Sequence, residues 1–156
     1  MPETTETRRA GVLLHVTSLP SGRIDDDCLR WLDFMAKAGL GVWQMLPLVI
    51  PDSNGSPYQS PSAFATDPGL LPNDDGPVDA ADLEEFHARH ASWLDDFALF
   101  EIIKRRFGEH AWIEWPQPLR DRDEDALDET RRHAQREIRT IIEQQQEDLA
   151  QRLARL

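Results

Sequence analysis

The sequence predicts an α/β fold, because two short apolar segments flank one amphipathic helix near the start of the chain. The first segment, 12–16, is apolar on both faces, as a strand of a parallel sheet is when neighbouring elements cover both sides. The second segment, 42–46, has the same character and ends at Pro47. Strand, helix and strand over this length fit one right-handed βαβ unit.

The helix between the two strands has recognisable ends. Asp25, Asp26 and Asp27 supply N-cap candidates and negative charge at the positive end of the helix dipole. Gly39 supplies a C-terminal stop. Apolar residues recur between these ends at spacings of three and four, which predicts one buried face: Cys28, Trp31, Leu32, Met35 and Ala38.

A long ordered loop is predicted between Pro47 and Pro77, where Gly and Pro are frequent and periodic apolar residues are few. Loops this long in compact proteins usually have a function, so this one is the leading candidate site. Tyr58 offers a ring that can stack on a pyranose, and Gln59 offers both a donor and an acceptor to sugar hydroxyls. The alternative is that the prolines stiffen a turn whose Tyr58 packs inward.

Three histidines and the carboxylates are the side chains that could carry acid-base chemistry or bind a metal ion. His15 lies at the end of the first predicted strand, where it is either a ligand-contacting residue or a hydrogen-bonded structural one. His87 and His90 lie three apart on a predicted helix without a third ligand, which favours a solvated pair over a metal site. No two carboxylates are marked as a catalytic pair, so the sequence assigns no catalytic residue, metal or cofactor.

Further helices are predicted in the second half of the chain. From Ala81, an aromatic stripe ended by Gly108 is interpreted as core packing. A charged helix over 121–156 has a narrow apolar seam that could pack on a barrel, on the preceding helix or on a second copy. The stripe comprises Trp93, Phe97, Phe100, Ile103 and Phe107, and the seam comprises Leu127, Ala134, Ile138, Ile141, Ile142, Leu149, Leu153 and Leu156.

Composition narrows the classes of partner. The chain has 29 acidic and 17 basic residues and a net charge of -12, which repels nucleic acid and anionic membranes. Cys28 is the lone cysteine and residues 1–9 lack the apolar core of a secretory signal. No apolar run approaches the ~20 residues that span a bilayer. We therefore predict a cytoplasmic protein whose partners include neither nucleic acid nor membrane.

Four motifs follow one another between residues 11 and 71. They are Leu13-Leu14-His15, Thr17-Ser18-Leu19-Pro20, Trp43-Gln44-Met45-Leu46-Pro47-Leu48 and Ser56-Pro57-Tyr58-Gln59. In this order they resemble the opening of the amylomaltases, which are bacterial 4-alpha-glucanotransferases with an elaborated (β/α)8 barrel. A looser resemblance continues over 93–119.

The resemblance implies that His15, Ser56, Tyr58 and Gln59 bind an α-1,4-glucan or maltooligosaccharide. The family breaks an α-1,4 bond, holds the glycosyl unit on an aspartate and passes it to the 4-hydroxyl of a glucose or glucan acceptor. Its nucleophile, its acid/base and its stabilising carboxylate follow later barrel strands. The resemblance therefore implies that this chain carries binding residues and lacks the catalytic ones.

At 156 residues, the chain is shorter than the roughly 250 residues of a complete barrel. We expect a flexible arm over 1–10, the N-terminal portion of the barrel over 11–120 and a charged helix over 121–156. The isolated chain is then truncated and inactive, and its partner is the remainder of the barrel or a second copy. The alternative is a non-catalytic remnant that binds glucan or a partner protein.

Overall fold

The computed structural model describes residues 8–72 and 80–146. These residues fall into two compact units, with 8–72 in the first and 80–146 in the second. Of the predicted arm, residues 1–7 lie outside the described residues, and 8–10 are exposed without helix or strand. Within the described ranges, no helix has the length and apolar character needed to cross a membrane.

The first unit contains the predicted strand, helix and strand. Strand β1 spans Gly11–Leu13, helix α1 spans Asp26–Lys37 and strand β2 spans Val42–Gln44, with β1 and β2 parallel. The mixed helix and strand content and the parallel order are therefore confirmed. The first strand is shorter than predicted, because Val16 begins a one-turn 3-10 helix, Val16–Ser18, that directs its side chain into the core.

Helix α1 begins and ends where its N-cap aspartates and Gly39 predict. The Asp25 carboxylate accepts a hydrogen bond from the Asp27 amide at 2.9 Å, and Gly39 has a φ of 71° just beyond the helix. Cys28 and Met35 are buried on the core side. Ala38 was predicted on the same buried face, but it is exposed because it is the C-cap residue, where the chain leaves the helix.

The core of the first unit joins the sheet, the helix and the far end of the long loop. Val16, Ile24, Cys28 and Leu70 form a buried cluster. Burial raises the pKa of the Cys28 thiol. The Ile24 amide also donates to the Leu70 carbonyl at 2.8 Å, so the chain after the loop returns to the start of α1. Partly buried residues pack around this cluster: Leu19, Trp43, Met45, Leu48 and Leu71.

Only one face of the parallel pair is covered within the described residues. Trp43 packs edge-on against Trp31 of α1 at 6.3 Å between ring centroids, and its indole N–H donates to the Leu14 carbonyl at 2.7 Å. On the opposite face Leu13 is 57% exposed and Val42 is 43% exposed. The prediction that both faces of the strands are covered is therefore wrong for the described chain, since α1 supplies a single covering layer.

The second unit is helical. Helix α2 spans Ala80–His90, α3 Leu94–Arg106, α4 Gln117–Arg120, α5 Glu124–His133 and α6 Gln135–Gln146. Phe97 and Ile103 are buried, which confirms the interpretation of the aromatic stripe as core packing. The stripe is interrupted, however, because Trp93 is the N-cap residue of α3 after a turn at 91–93.

Up to residue 146, where the described part ends, the charged C-terminal region contains two helices in place of the predicted one. Helices α5 and α6 meet at Ala134, which is 1% exposed. Both helices pack against α3, so the described part of the seam lies on the preceding helix. The break at Ala134 turns the chain so that Leu127 of α5 and Ile141 of α6 are both buried. The seam residues Leu149, Leu153 and Leu156 lie outside the described residues.

Gly11 provides a test of the strand contact. A Cβ atom at Gly11 would lie 2.7 Å from both the Cβ atom and the carbonyl oxygen of Val42, closer than van der Waals contact allows. We expect Gly11→Ala to lower the free energy of unfolding in urea by about 1–3 kcal/mol, the usual cost of overpacking. Gly41→Ala is the matched control, because the nearest atom to its Cβ would be 3.9 Å away. Equal stability of the two variants would contradict the contact.

Candidate functional site

His15 lies just beyond β1, where the chain leaves the sheet. Its backbone is extended, with φ of -76° and ψ of 150°, and its ring is half-buried. The Nδ1 atom is buried and has no hydrogen-bond partner among the described residues. Desolvation lowers the pKa of His15, and the nearby Asp67 carboxylate opposes this effect without cancelling it. The imidazole is therefore neutral near pH 7 and can both donate and accept a hydrogen bond.

Asp67 also closes the base of the long loop. Its amide donates to the Leu48 carbonyl at 3.0 Å, and Val49 forms an antiparallel bridge with Thr66. The Asp67 carboxylate accepts from the Gly69 amide at 2.8 Å and so caps the one-turn helix Pro68–Leu70. Because this carboxylate acts on His15, the structure brings His15 beside the base of the loop. Sequence analysis did not single out Asp67, although an Asp before Pro-Gly is a turn signal.

The outer part of the loop is held by Asp52. Its carboxylate accepts from the Ser56 amide at 2.7 Å and from the Asn54 amide at 2.9 Å. These bonds lower the pKa of Asp52, with the Ser56 amide as the largest cause. Gly55 takes a φ of 79°, which the tight turn requires. Asp52 is a structural residue of the site that sequence analysis missed, and the Asp-x-Asn-Gly turn pattern was its signal.

Ser56, Tyr58 and Gln59 lie directly after this turn. The Pro57–Gln59 segment forms one turn of 3-10 helix with Ser56 as its N-cap residue. Tyr58 is 72% exposed and Gln59 is exposed, whereas Ser56 is half-buried. The alternative in which Tyr58 packs inward is therefore wrong. The segment presents an aromatic ring and an amide side by side on a hydrogen-bonded support.

A second turn of the loop is held by Ser62. The Ser62 hydroxyl accepts from the amides of Phe64 at 3.2 Å and Ala65 at 3.0 Å. Ala65 is fully buried, whereas Phe64 is 68% exposed. The loop thus exposes a second aromatic ring, at Phe64, that sequence analysis did not select. The last residues of the predicted loop, 73–77, lie outside the described residues.

His87 and His90 are not the solvated pair that the sequence predicts. The Nε2 atom of His87 lies 2.7 Å from a carboxylate oxygen of Asp95. The His90 ring contacts Phe86 at 4.5 Å between centroids, and its Nδ1 atom accepts from the Trp93 indole at 3.3 Å. Both rings are half-buried because α2 turns back onto the start of α3. The described residues contain no group of three or more His, Cys, Asp or Glu side chains arranged to hold a metal ion.

The second unit carries an open cavity of about 670 Å³, lined mostly by charged side chains. Within its lining, Arg131 lies 2.7 Å from Asp128, and Arg131 also lies 3.9 Å from Asp96 outside the lining. The lining holds three carboxylates and two guanidinium groups, so it carries a small net negative charge. The lining residues are Asp95, Asp125, Asp128, Arg131, Arg132, Gln135 and Ile138.

The sequence is similar to known glucan-modifying enzymes over nearly its whole length. A family model described as 4-alpha-glucanotransferase matches residues 14–75 and 72–155. The 4-alpha-glucanotransferase of Aquifex aeolicus is 34% identical over 77% of this chain and 34% of that protein. The enzyme of Thermus thermophilus is 32% identical over 80% of this chain and 34% of that protein. The chain spans about a third of the length of the curated relatives it matches.

A solved structure gives the corresponding structural match. The amylomaltase from Streptococcus agalactiae, in complex with acarbose, superposes with a TM-score of 0.79 at 26% sequence identity. The match covers 89% of this chain and 38% of that chain. The fold described above is therefore similar to part of an amylomaltase.

The Asp52 turn can be tested by amide hydrogen exchange. We expect Asp52→Ala to speed exchange at the Asn54 and Ser56 amides, because their acceptor is removed. Ser53→Ala is the control, since Ser53 is exposed and its side chain takes part in neither bond. Unchanged exchange at both amides in Asp52→Ala would show that the carboxylate does not hold the turn.

His15 contributes to the dependence of stability on pH. The pKa of His15 is lowered in the folded state, so the folded chain binds fewer protons at this residue than the unfolded chain does. Its contribution to the free energy of unfolding is therefore favourable above about pH 6.5 and is lost as pH falls below that value. We expect the loss of unfolding free energy between pH 7.5 and 5.5 to be smaller in His15→Asn than in the unsubstituted chain. Urea titrations at the two pH values measure this, and an equal loss in both proteins would contradict it.

Proposed function

This chain belongs to the 4-alpha-glucanotransferase family, and on that premise we propose that it forms the N-terminal part of the (β/α)8 barrel of such an enzyme and binds its α-1,4-glucan. The observation that carries this proposal is the loop after β2, which holds Tyr58 72% exposed on a turn fastened by the Asp52 carboxylate. Barrel enzymes assemble their sites from loops at this end of the strands.

The exposed groups suit a neutral sugar. The Tyr58 ring can stack on the apolar face of a pyranose, while Gln59 and the Ser56 hydroxyl can bond its hydroxyls. His15, neutral near pH 7, adds a donor and an acceptor beside the loop base. The hydrogen bonds at Asp52 order the turn before a ligand arrives, which lowers the entropic cost of binding.

We place the chemistry of bond transfer outside this chain. Retaining glycosyl transfer uses two carboxyl groups about 5 Å apart across the sugar. Several carboxylates of the described residues already have structural partners: Asp25 and Asp123 cap helices, and Asp52 holds the loop. The complete enzyme would break an α-1,4 bond in a donor glucan and pass the glycosyl unit to the 4-hydroxyl of an acceptor. The isolated chain is then inactive.

We also propose how the segments of the chain contribute to the barrel and where in the cell the protein is located. The segment 11–120 supplies the first barrel strands and their loops, and 121–156 is a separate charged segment that is helical over Glu124–His133 and Gln135–Gln146. The partner of the chain is the remainder of the barrel, whose further parallel strands would pair with the edges of β1 and β2. We place the protein in the cytoplasm, in keeping with its single cysteine, Cys28, which is a free thiol.

Tyr58 provides the test of glucan binding. We expect the 156-residue chain to bind maltoheptaose in isothermal titration calorimetry, and Tyr58→Ala to weaken binding roughly tenfold because the stacking surface is lost. Tyr58→Phe retains the ring and should retain most of the affinity. Trp112→Ala is the control, because Trp112 is a similarly exposed aromatic residue of the second unit, at 56%.

Two results would contradict the proposal. Equal weakening by Tyr58→Ala and Trp112→Ala would show that the loop is not the binding site. Release of glucose from maltotriose by the purified chain would show that catalytic carboxylates lie within it.

A further inference from the structure

The open face of the parallel pair carries one polar side chain. The register pairs Gly11 with Val42 and Leu13 with Gln44, and side chains alternate between the two faces along each strand. Trp43 contacts α1 on the covered face, so Val42 and Gln44 lie on the other. All four paired residues are exposed. Gln44 is therefore an amide at the carboxyl end of β2, on a face that is otherwise glycine and apolar.

His15 continues the same face. The Leu14 amide donates to the Gln44 carbonyl at 3.0 Å, so the strand pairing extends one residue beyond β1. His15 keeps an extended backbone, and Val16, the next residue, is fully buried in the core cluster that Trp43 contacts. Alternation thus places His15 opposite the core side. His15 and Gln44 are the polar residues at the carboxyl ends of two neighbouring parallel strands.

The Gln44 amide lacks a hydrogen-bond partner among the residues that the structure describes. Its side chain makes no hydrogen bond to the described residues, in contrast with the carboxylates that fasten the loop. Faces of parallel sheets are normally covered in complete proteins. A leucine would suit a covered apolar face, whereas an amide there requires a polar partner, since a buried amide without one is unfavourable. A sugar hydroxyl, which both donates and accepts, satisfies an amide in both roles.

We infer that Gln44 is a further ligand-contacting residue, and that its amide, together with His15, binds a hydroxyl of the glucan at the carboxyl end of the two strands. This inference rests on the proposed function. It extends the binding surface from the loop after β2 to the sheet itself, so that the ligand is held between an exposed aromatic ring and a polar strand end.

Calorimetric titration of maltoheptaose into Gln44→Met tests the inference. Methionine has similar length and lacks the amide, so we expect affinity to fall about fivefold to tenfold, as for the loss of one hydrogen bond or slightly more. Gln144→Met is the matched control, because Gln144 is an exposed glutamine on α6. The urea midpoint of Gln44→Met should stay unchanged, since the amide is exposed and makes no hydrogen bond within residues 8–72 or 80–146.

The outcomes separate this inference from the proposed function. If the unsubstituted chain binds and Gln44→Met binds equally well, the inference is wrong and the proposed function stands. If Gln44→Met shifts the urea midpoint while its affinity falls no more than that of Gln144→Met, the residue is structural and the inference is also wrong. If the unsubstituted chain does not bind maltoheptaose, the proposed function fails, and the inference fails with it.

Discussion

The first unit depends on how closely its two parallel strands approach each other at Gly11. Because Gly11 has no Cβ atom, the carbonyl of Val42 can pack directly against it. This contact accompanies a register that turns Trp43 toward α1 and leaves Leu13 and Gln44 on the open face. A shift of one residue would exchange the two faces and remove Trp43 from the core. The register therefore decides which side of the strand pair faces the core and which side carries the polar strand end.

Two carboxylates convert a long loop into an ordered one. Asp52 fastens its outer turn, and Asp67 fastens its base beside His15. In the described part of the loop, strand-like pairing is limited to the isolated bridge between Val49 and Thr66, so side-chain acceptors replace the ladder that a strand would supply. This support allows Tyr58 to remain exposed without leaving the loop unordered. The position of the Tyr58 ring therefore depends on Asp52 and Asp67, which support the loop and need not contact a ligand themselves.

In the second unit, tertiary packing divides into two helices a segment that the local apolar pattern predicts as one helix. The sequence between Leu127 and Ile142 has one apolar seam and no proline or glycine to end a helix. The chain nevertheless breaks at Ala134, because α5 and α6 must each present an apolar side to α3. In the same way His87 and His90, which look solvated on an isolated helix, find Asp95 and Trp93 only once α2 and α3 are packed together.

Local chemistry in the sequence determined the strand, helix and strand order, the Asp25 cap and the turn at Gly39, because each depends on neighbouring residues alone. It also marked the loop that carries Tyr58 and the motifs that place the chain in its family. Only the tertiary structure decided that Tyr58 faces solvent and that Asp67 lies beside His15. It also decided that Gln44 and His15 share the open face of the two strands. Those facts depend on contacts between residues distant in sequence, which no local pattern specifies.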